Sequence, residues 1–366
     1  MLWNAALLLL LVLPLVGCKK DKPAPEPAKK ADATEVLKNL GYNVIIPTYK
    51  ELQAKAGVML EKVKAYKADP TEAKLAEARQ AWRDARVPWE QSEAFLFGPT
   101  DSEGLDPAID TWPVDKAGMD AVLKGTEAIT VAVVTANENT RGFHLVEYML
   151  WSDEMAPSLA SSPRKLEYLL AAAQDVKDIA DKLVVKWTPY AEQIASAGQD
   201  GNKKYPSRRS ALEEFVKGSV DISDEVANEK INNALNGEAA NGKRPGGAHP
   251  DLEESRFAHN SKTDFINNIE SIRNTFLGDN NGHKGPGIDD LLTAIGKKEL
   301  ADKIVKAIDE AQQAIEGIEG TFTDAIKDGN TKGRQQCQVA LEKASALSAM
   351  LNDELLPVIN KSDYDF

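Results

Sequence analysis

A histidine and a glutamate, His144 and Glu147, stand three positions apart in an otherwise apolar segment. The segment from 142 to 151 predicts a helix that is apolar almost all round, which is typical of a buried helix. Side chains three positions apart share a helix face, so the imidazole and the carboxylate could chelate one metal ion. The alternative is a core histidine that hydrogen-bonds a neighbouring carboxylate. His-x-x-Glu pairs are frequent by chance, so the spacing leaves both interpretations open.

The same segment lacks the arrangement of a zincin-type zinc peptidase. Those enzymes place the general base directly after the first histidine, in the order His-Glu-x-x-His. Leu145 occupies that position here, and Tyr148 stands where the inverted motif has its second histidine. Gly142 has no side chain, so another backbone or a ligand can approach the helix closely.

A second group of polar residues lies on an apolar face between residues 81 and 98. Trp82, Arg86, Trp89 and Glu93 follow one another at i, i+4, i+7 and i+11 and so share that face. The tryptophans belong in a core, whereas a charged Arg86 or Glu93 there needs a partner. Glu93 is therefore a candidate metal or substrate ligand, and the alternative is an internal ion pair that fixes the packing.

The long connection between residues 100 and 119 carries a further acid. It contains Trp112-Pro113-Val114-Asp115, and long ordered loops in compact domains are often functional. A rigid Trp-Pro pair could deliver Asp115 to a site in the core. The alternative is that Asp115 caps the helix that follows.

The segment 251–264 is dense in polar residues where a bundle helix should be half apolar. A solvated face explains part of this composition. The segment could instead line a cleft that faces the first half of the chain. The candidate cleft residues are Arg86 from the first half and Glu254, Arg256, His259, Asn260 and Asp264 from this segment.

The elements that must position these residues are helices, because the apolar period is helical nearly throughout. We predict helices over about 71–97, 139–151, 163–190 and 252–277, and Ser207 as the N-cap of the first helix of the second half. The polar, turn-rich segment 199–206 separates an N-terminal bundle, 34–200, from a C-terminal bundle, 201–366. Strand-like alternation is not convincing anywhere, so the predicted fold class is all-α, with two antiparallel helical bundles.

The N-terminus has the features of an exported protein with a lipid anchor. The apolar run 7–16 is too short to span a bilayer and has the length of a signal-peptide core. It ends in Leu15-Val16-Gly17-Cys18, which resembles the bacterial lipobox. We therefore predict a lipoprotein signal peptide over 1–18, lipid on Cys18, and a disordered tether over 19–33. The alternative is a plain secretory signal with an incidental cysteine.

The net charge indicates which class of partner is excluded, and the residue after Cys18 indicates which membrane is expected. The chain has 366 residues and a formal net charge of −13, which argues against nucleic acid as a partner because phosphate binding needs a basic surface. Lys19 follows Cys18, where the inner-membrane retention signal has aspartate. The expected location is the bacterial envelope, anchored in the outer membrane and facing the periplasm.

Four blocks of the sequence resemble the imelysin family. They are Arg86-Val87-Pro88-Trp89-Glu90-Gln91-Ser92-Glu93, Trp112-Pro113-Val114-Asp115, Gly142-Phe143-His144-x-x-Glu147-Tyr148-x-Leu150-Trp151, and Glu254-Ser255-Arg256-Phe257-Ala258-His259-Asn260 followed by Asp264. The resemblance implies two helical bundles related by duplication, an envelope location and a link to iron uptake. The founding activity of that family is a metallopeptidase. The fourth block departs from the pattern at Arg256, Ala258 and Lys262.

Together these observations predict a divalent metal site formed by His144, Glu147, Glu93 and Asp115. Ligation rich in oxygen, with one imidazole and no thiolate, suits iron or manganese, and zinc is possible. The expected function is iron capture for uptake, with an iron permease or an outer-membrane receptor as a possible partner. One alternative is a metallopeptidase that uses Glu93 as its general base. The other is a passive envelope adaptor in which the pair only completes a polar core.

Overall fold

The computed structural model describes residues 29–237, 247–361 and 364–366. The predicted signal peptide with Cys18, and residues 19–28 of the predicted tether, lie outside them. Helices dominate the described chain and its strands are only two residues long, so the prediction of an all-α fold is confirmed. None of the described helices combines the length and the apolar composition that crossing a membrane requires.

The first half of the chain packs around three long helices. Its helices are α1 (Thr34–Asn39), α2 (Ile46–Ala68), α3 (Glu72–Glu90), α4 (Pro99–Ser102), α5 (Leu105–Ile109), α6 (Lys116–Lys124), α7 (Val131–Thr135), α8 (Gly142–Trp151), α9 (Ala156–Leu159) and α10 (Pro163–Ala195). The helices α2, α3 and α10 pack together, and α8 packs against both α3 and α10. Trp82 of α3 is fully buried and donates its indole N–H to the carbonyl oxygen of Phe143 at 2.9 Å. This contact fixes α8, which carries the central histidine, to α3.

The second half forms a second bundle. Its helices are α11 (Arg208–Asp224), α12 (Asn232–Asn236), α13 (Ser261–Leu277), α14 (Ile288–Ala294), α15 (Lys298–Glu316), α16 (Phe322–Ala325), α17 (Thr331–Met350) and α18 (Leu356–Asn360). The helices α11, α13, α15 and α17 pack together. Ser207 is the N-cap of α11, as predicted, because its hydroxyl accepts a hydrogen bond from the amide of Ser210 at 3.1 Å.

Short elements interrupt or join these helices. They are π-helical turns at Leu40–Ile45, Glu225–Ile231 and Leu351–Leu355, 3-10 turns at Glu93–Phe95 and Pro250–Leu252, and the strands β1 (Lys29–Lys30), β2 (Asp279–Asn280), β3 (His283–Lys284) and β4 (Tyr364–Asp365). Strands β1 and β4 pair in parallel, and β2 and β3 pair antiparallel. The described end of the predicted tether therefore pairs with the C-terminal end of the chain.

The two halves meet along α3 and the 3-10 turn that follows it. Helix α3 packs against α13, and the turn packs against α11. A Cβ at Gly218 of α11 would lie 2.3 Å from the carbonyl oxygen of Ala94, so this close approach requires glycine. The amide of Ala94 also donates to Ser271 Oγ at 3.1 Å. The interface thus brings the polar face of α3 against the second half.

The main correction to the predicted helices concerns the loop 253–260. The sequence predicted a helix over 252–277, but α13 begins only at Ser261. Ser255 and His259 have φ values of 46° and 54°, which a right-handed helix does not allow. The hydroxyl of Ser261 donates to Glu253 at 2.7 Å, so side chains here replace helical backbone bonds. The loop directs Glu254 toward the first half.

Candidate functional site

The beginning of α8 brings Asp110 beside His144. Gly142 is the first residue of α8 and has a φ of 78°, a region that favours glycine. A Cβ there would lie 2.4 Å from the carbonyl oxygen of Ile109. The absent side chain therefore allows another backbone to approach, as the sequence predicted. Asp110 directly follows Ile109, so this contact sets its position.

The two ring nitrogens of His144 have different surroundings. The residue is only 1% exposed, and its Nδ1 lies 3.0 Å from Glu147 Oε2. Its Nε2 meets the geometry of a hydrogen bond with none of the described residues. Asp110 Oδ1 and Glu254 Oε1 nevertheless lie 3.2 and 3.6 Å from this nitrogen. Glu147 therefore fixes Nδ1, and Nε2 faces the carboxylates of Asp110 and Glu254.

Glu147 uses both of its carboxylate oxygens within the protein. Oε2 contacts His144, and Oε1 accepts hydrogen bonds from the backbone amides of Phe257 and Ala258, each at 2.9 Å. The side chain is completely buried. The structure therefore places Glu147 behind the histidine, where it sets the ring orientation, and not beside it as a second chelating group.

Asp110, His144 and Glu254 form a group that fits one metal ion. One ligand atom from each lies within 4.8 Å of the others. Adjacent ligand atoms on an ion with bonds of about 2.0–2.2 Å are about 3–3.5 Å apart, close to the distances measured around His144 Nε2. Two carboxylates and one imidazole suit iron, manganese or zinc.

Arg86 holds the carboxylates of this group from the inside of α3. Its guanidinium is fully buried and pairs with Asp110 and Glu90, and its Nη2 lies 3.1 Å from Glu254 Oε1. Its Nε lies 3.6 Å from Asp264 Oδ1. Such a buried cation needs several acceptors at once, which the convergence of both halves supplies.

A second acidic group, formed by Glu90, Glu93 and Asp110, adjoins the first and shares Asp110 with it. The helix predicted over 71–97 ends at Glu90, and Glu93 lies in the 3-10 turn. Lys230 Nζ lies 3.1 Å from Glu93 and 3.2 Å from Glu254. Asn268 donates its side-chain amide to Glu90 at 2.5 Å and to Glu93 at 3.1 Å.

The charges of the site perturb its pKa values in opposite directions. Burial alone would raise the pKa of Asp110, but Arg86 and His144 hold it well below its ordinary value. Burial would also raise the pKa of Glu254, yet Lys230, His144 and Arg86 lower it to about 2. Both candidate ligands therefore stay ionised at neutral pH.

The pKa values of His144, Glu90 and Glu93 are raised, in contrast to those of Asp110 and Glu254. Burial would lower the pKa of His144, but Asp110, Glu147 and Glu254 raise it well above the ordinary value. Burial dominates for Glu90 and Glu93 and raises the pKa of each carboxyl well above its ordinary value, although cations beside them oppose this. The site thus carries a proton that a bound cation would displace.

An open cleft leads to the site between the two halves. Its volume is about 540 Å³. Asp110, Glu254, Glu93, Lys230 and Trp112 are among the residues that line it. The cleft gives solvent access to the carboxylates while the imidazole stays buried.

The other residues predicted for the site lie outside the group of Asp110, His144 and Glu254. Asp115 is the N-cap of α6, where its carboxylate accepts the amide of Ala117 at 3.0 Å, and it is not among the converging acids. His259 is exposed and contacts Thr323 at 3.1 Å. Asn260 is buried, and its side-chain amide donates a hydrogen bond to Asp264 at 2.8 Å. Asp264 in turn lies 3.6 Å from Arg86 Nε.

Three residues of the cluster were not predicted from the sequence. Glu90 stands four positions after Arg86 on one helix face, a spacing that could have identified it. Asp110 belongs to the same loop as Asp115, and only the contact at Gly142 distinguishes it. Lys230 lies between buried Val226 and Ile231, where a charged residue on an apolar face indicates a buried partner.

The chain is similar in sequence and in fold to several known proteins. The family model described as Imelysin matches residues 45–351. Iron-regulated protein A of Synechococcus elongatus is 30% identical over 322 residues, which cover 86% of this chain and 84% of that protein. A crystal structure from Parabacteroides distasonis, described provisionally as an iron-regulated protein A precursor, has a TM-score of 0.75 and 28% identity, covering 90% of this chain and 95% of that one. An imelysin-like protein from Psychrobacter arcticum shares the fold, with a TM-score of 0.71 at 13% identity over 91% of this chain and 98% of that one.

Proposed function

This chain belongs to the imelysin family, and we propose that it captures a divalent metal ion, with iron as the first candidate, at Asp110, His144 and Glu254 for uptake through the cell envelope. The proposal rests on the geometry of three side chains that come from α8 and from two loops. Its cargo is the ion itself.

The observation that carries the proposal is the position of His144 Nε2 between two carboxylates from different segments. The nitrogen lies 3.2 Å from Asp110 Oδ1 and 3.6 Å from Glu254 Oε1, so the three atoms have the spacing of ligands around one ion. A metal ion in that space would accept the nitrogen lone pair and both oxygens. It would also replace the proton of the imidazole as a positive charge beside these two carboxylates.

Iron is preferred for two reasons. The ligand set is rich in oxygen, has one imidazole and has no thiolate, which suits iron better than it suits copper. Two of the matched relatives are described as iron-regulated proteins. We extend that association to this chain as part of the proposal, with manganese and zinc as competing ions.

The envelope location is part of the same proposal. Lipid on Cys18 would anchor the chain in the outer membrane, facing the periplasm, without a spanning helix. An iron permease or an outer-membrane receptor would then deliver the ion or receive it. Both the anchor and these partners remain predictions.

A metallopeptidase is the alternative, and the position of Glu93 argues against it. A catalytic zinc needs three ligands, an open position for water and a general base. The cleft leaves the ligands accessible, but Glu93 Oε2 is engaged by both Lys230 and Asn268. This pairing with an ammonium weakens Glu93 as a base, because a nearby positive charge lowers the proton affinity of a carboxylate.

Metal titration tests the proposal directly. The chain from Lys19 onward contains every described residue and can be titrated with Fe²⁺ under anaerobic conditions, and with Mn²⁺ and Zn²⁺. We expect one ion per chain for the wild type and for Asp115→Asn, and none for His144→Ala. Equal binding by all three proteins would refute the site, and metal-dependent cleavage of an unfolded protein substrate would favour the peptidase.

A further inference from the structure

Lys230 lines the cleft and places an ammonium group beside the proposed metal site. The side chain is 8% exposed. Its Nζ lies 3.1 Å from Glu93, 3.2 Å from Glu254, 3.5 Å from Glu225 and 3.8 Å from Glu90. The side-chain oxygen of Asn268 lies 3.4 Å from the same nitrogen. The protein itself thus supplies a cation at this place.

The same carboxylates have the spacing of a second metal site. Glu90, Glu93 and Asp110 offer one ligand atom each within 4.8 Å of one another. Asp110 also belongs to the group with His144 and Glu254. A carboxylate shared between two oxygen-rich groups is the arrangement that bridges two ions in carboxylate-bridged helical bundles.

We propose that Lys230 makes the site mononuclear, because its ammonium takes the place that a second metal ion would occupy. The inference rests on the proposed function, since it concerns how many ions that site accepts. It assigns Lys230 the role of a residue that determines specificity, with no contact to the captured ion required.

The backbone at Lys230 supports this role. The residue lies in the π-helical turn Glu225–Ile231, which follows α11. Single π-helical turns widen a helix locally and are frequent at functional sites. The turn brings Lys230 to the boundary between the halves, where its ammonium reaches acids of the 3-10 turn and of the loop 253–260.

Electrostatics explains why a lysine would have this effect. A bound divalent ion and an ammonium at adjacent positions repel each other, and a second divalent ion would be repelled more strongly. The ammonium lies 3.2 Å from Glu254 and already balances part of its charge, so less negative charge remains for another ion. Capture for uptake requires an ion that can be bound and then released, and a site for one ion meets this requirement without a bridging carboxylate that holds two ions together.

The test is the number of ions bound when the charge is removed. The chain from Lys19 onward is prepared as wild type, as Lys230→Met, and as Lys177→Met, a control that removes an ion pair with Asp181 at the surface of α10. Mn²⁺ is the probe, counted by titration and observed by electron paramagnetic resonance. We expect one isolated Mn²⁺ in the wild type and control, and two exchange-coupled ions in Lys230→Met.

Other variants and conditions keep the outcome interpretable. Lys230→Met combined with Glu90→Gln should return to one ion, because the second group loses a ligand. If Lys230→Met is unfolded without metal, folding on addition of Mn²⁺ with two ions bound supports the proposal, and failure to fold in Mn²⁺ overturns it. One ion in both wild type and Lys230→Met refutes only the role of Lys230. No ion in the wild type refutes the proposed function itself.

Discussion

Glu147 contacts His144 at 3.0 Å through one carboxylate oxygen and the backbone of the loop 253–260 through the other. The two residues of the His-x-x-Glu pair therefore have different roles. His144 faces the site, and Glu147 connects the ring to the loop that carries Glu254. The two halves of the chain are joined at the point where their candidate ligands meet.

Substitution of the pair should have unequal effects on metal affinity. His144→Ala removes a ligand, so we expect no measurable binding. Glu147→Gln would donate from its amide to Nδ1, which places the ring proton on Nε2 and blocks the lone pair that faces the site. We expect a loss of about 10–100-fold for Glu147→Gln, measured by Mn²⁺ titration. Unchanged affinity in this variant would contradict the orienting role.

Two adjacent glutamates provide a matched test of the loop. Glu254 faces the site, whereas Glu253 accepts hydrogen bonds from Ser261 at 2.7 Å and Thr323 at 3.0 Å. Glu254→Gln should lose metal binding because a ligand loses its charge, and Glu253→Gln should retain it. Isothermal titration of both variants distinguishes them. Loss of metal binding in Glu253→Gln, with binding retained in Glu254→Gln, would contradict the assignment of Glu254 as the ligand.

Asp115 should affect stability without affecting metal binding. Its carboxylate caps α6 through the amide of Ala117, so Asp115→Ala should lower the free energy of unfolding by about 0.5–2 kcal/mol. Asp115→Asn should retain the stability, because asparagine caps equally well. Urea denaturation measures the difference. A loss of metal affinity in Asp115→Asn would place this residue in the site after all.

Metal affinity should rise with pH around neutrality. Asp110, Glu147 and Glu254 raise the pKa of His144, so the free protein keeps its imidazole protonated, and metal binding must release that proton. Below this pKa the affinity should increase by up to about tenfold per pH unit. Titrations in two buffers with different ionisation enthalpies would count the protons. Affinity that does not change between pH 6 and 8 would contradict a protonated His144.

Gly142→Ala should destabilise the protein and disturb the site together. The new Cβ would lie 2.4 Å from the carbonyl oxygen of Ile109, at a φ of 78°, and left-handed backbone strain alone costs about 1–3 kcal/mol. The contact must then open, and Asp110 moves with it. Gly329→Ala is the control, because no neighbouring atom of the described residues lies within 4 Å of its added Cβ. Thermal unfolding and metal titration should both change only in Gly142→Ala.

The sequence alone determined the features that depend on local patterns. Apolar periodicity predicted the helical class, the burial of His144 and Glu147, and the cap at Ser207, since each of these depends on residues a few positions apart. Gly142 indicates a place of close approach because glycine has no side chain. These predictions did not require knowledge of where distant segments lie.

Only the tertiary structure decided which acids share the site with the imidazole. Asp110 comes from a loop before α8, Glu254 from a loop in the other half, and Lys230 from a π-helical turn. Helical periodicity carries no information about which irregular segments face one another, and it made the loop 253–260 look like part of a helix. The packing of the two halves brings these charges together, because each buried charge requires partners that its own segment does not provide.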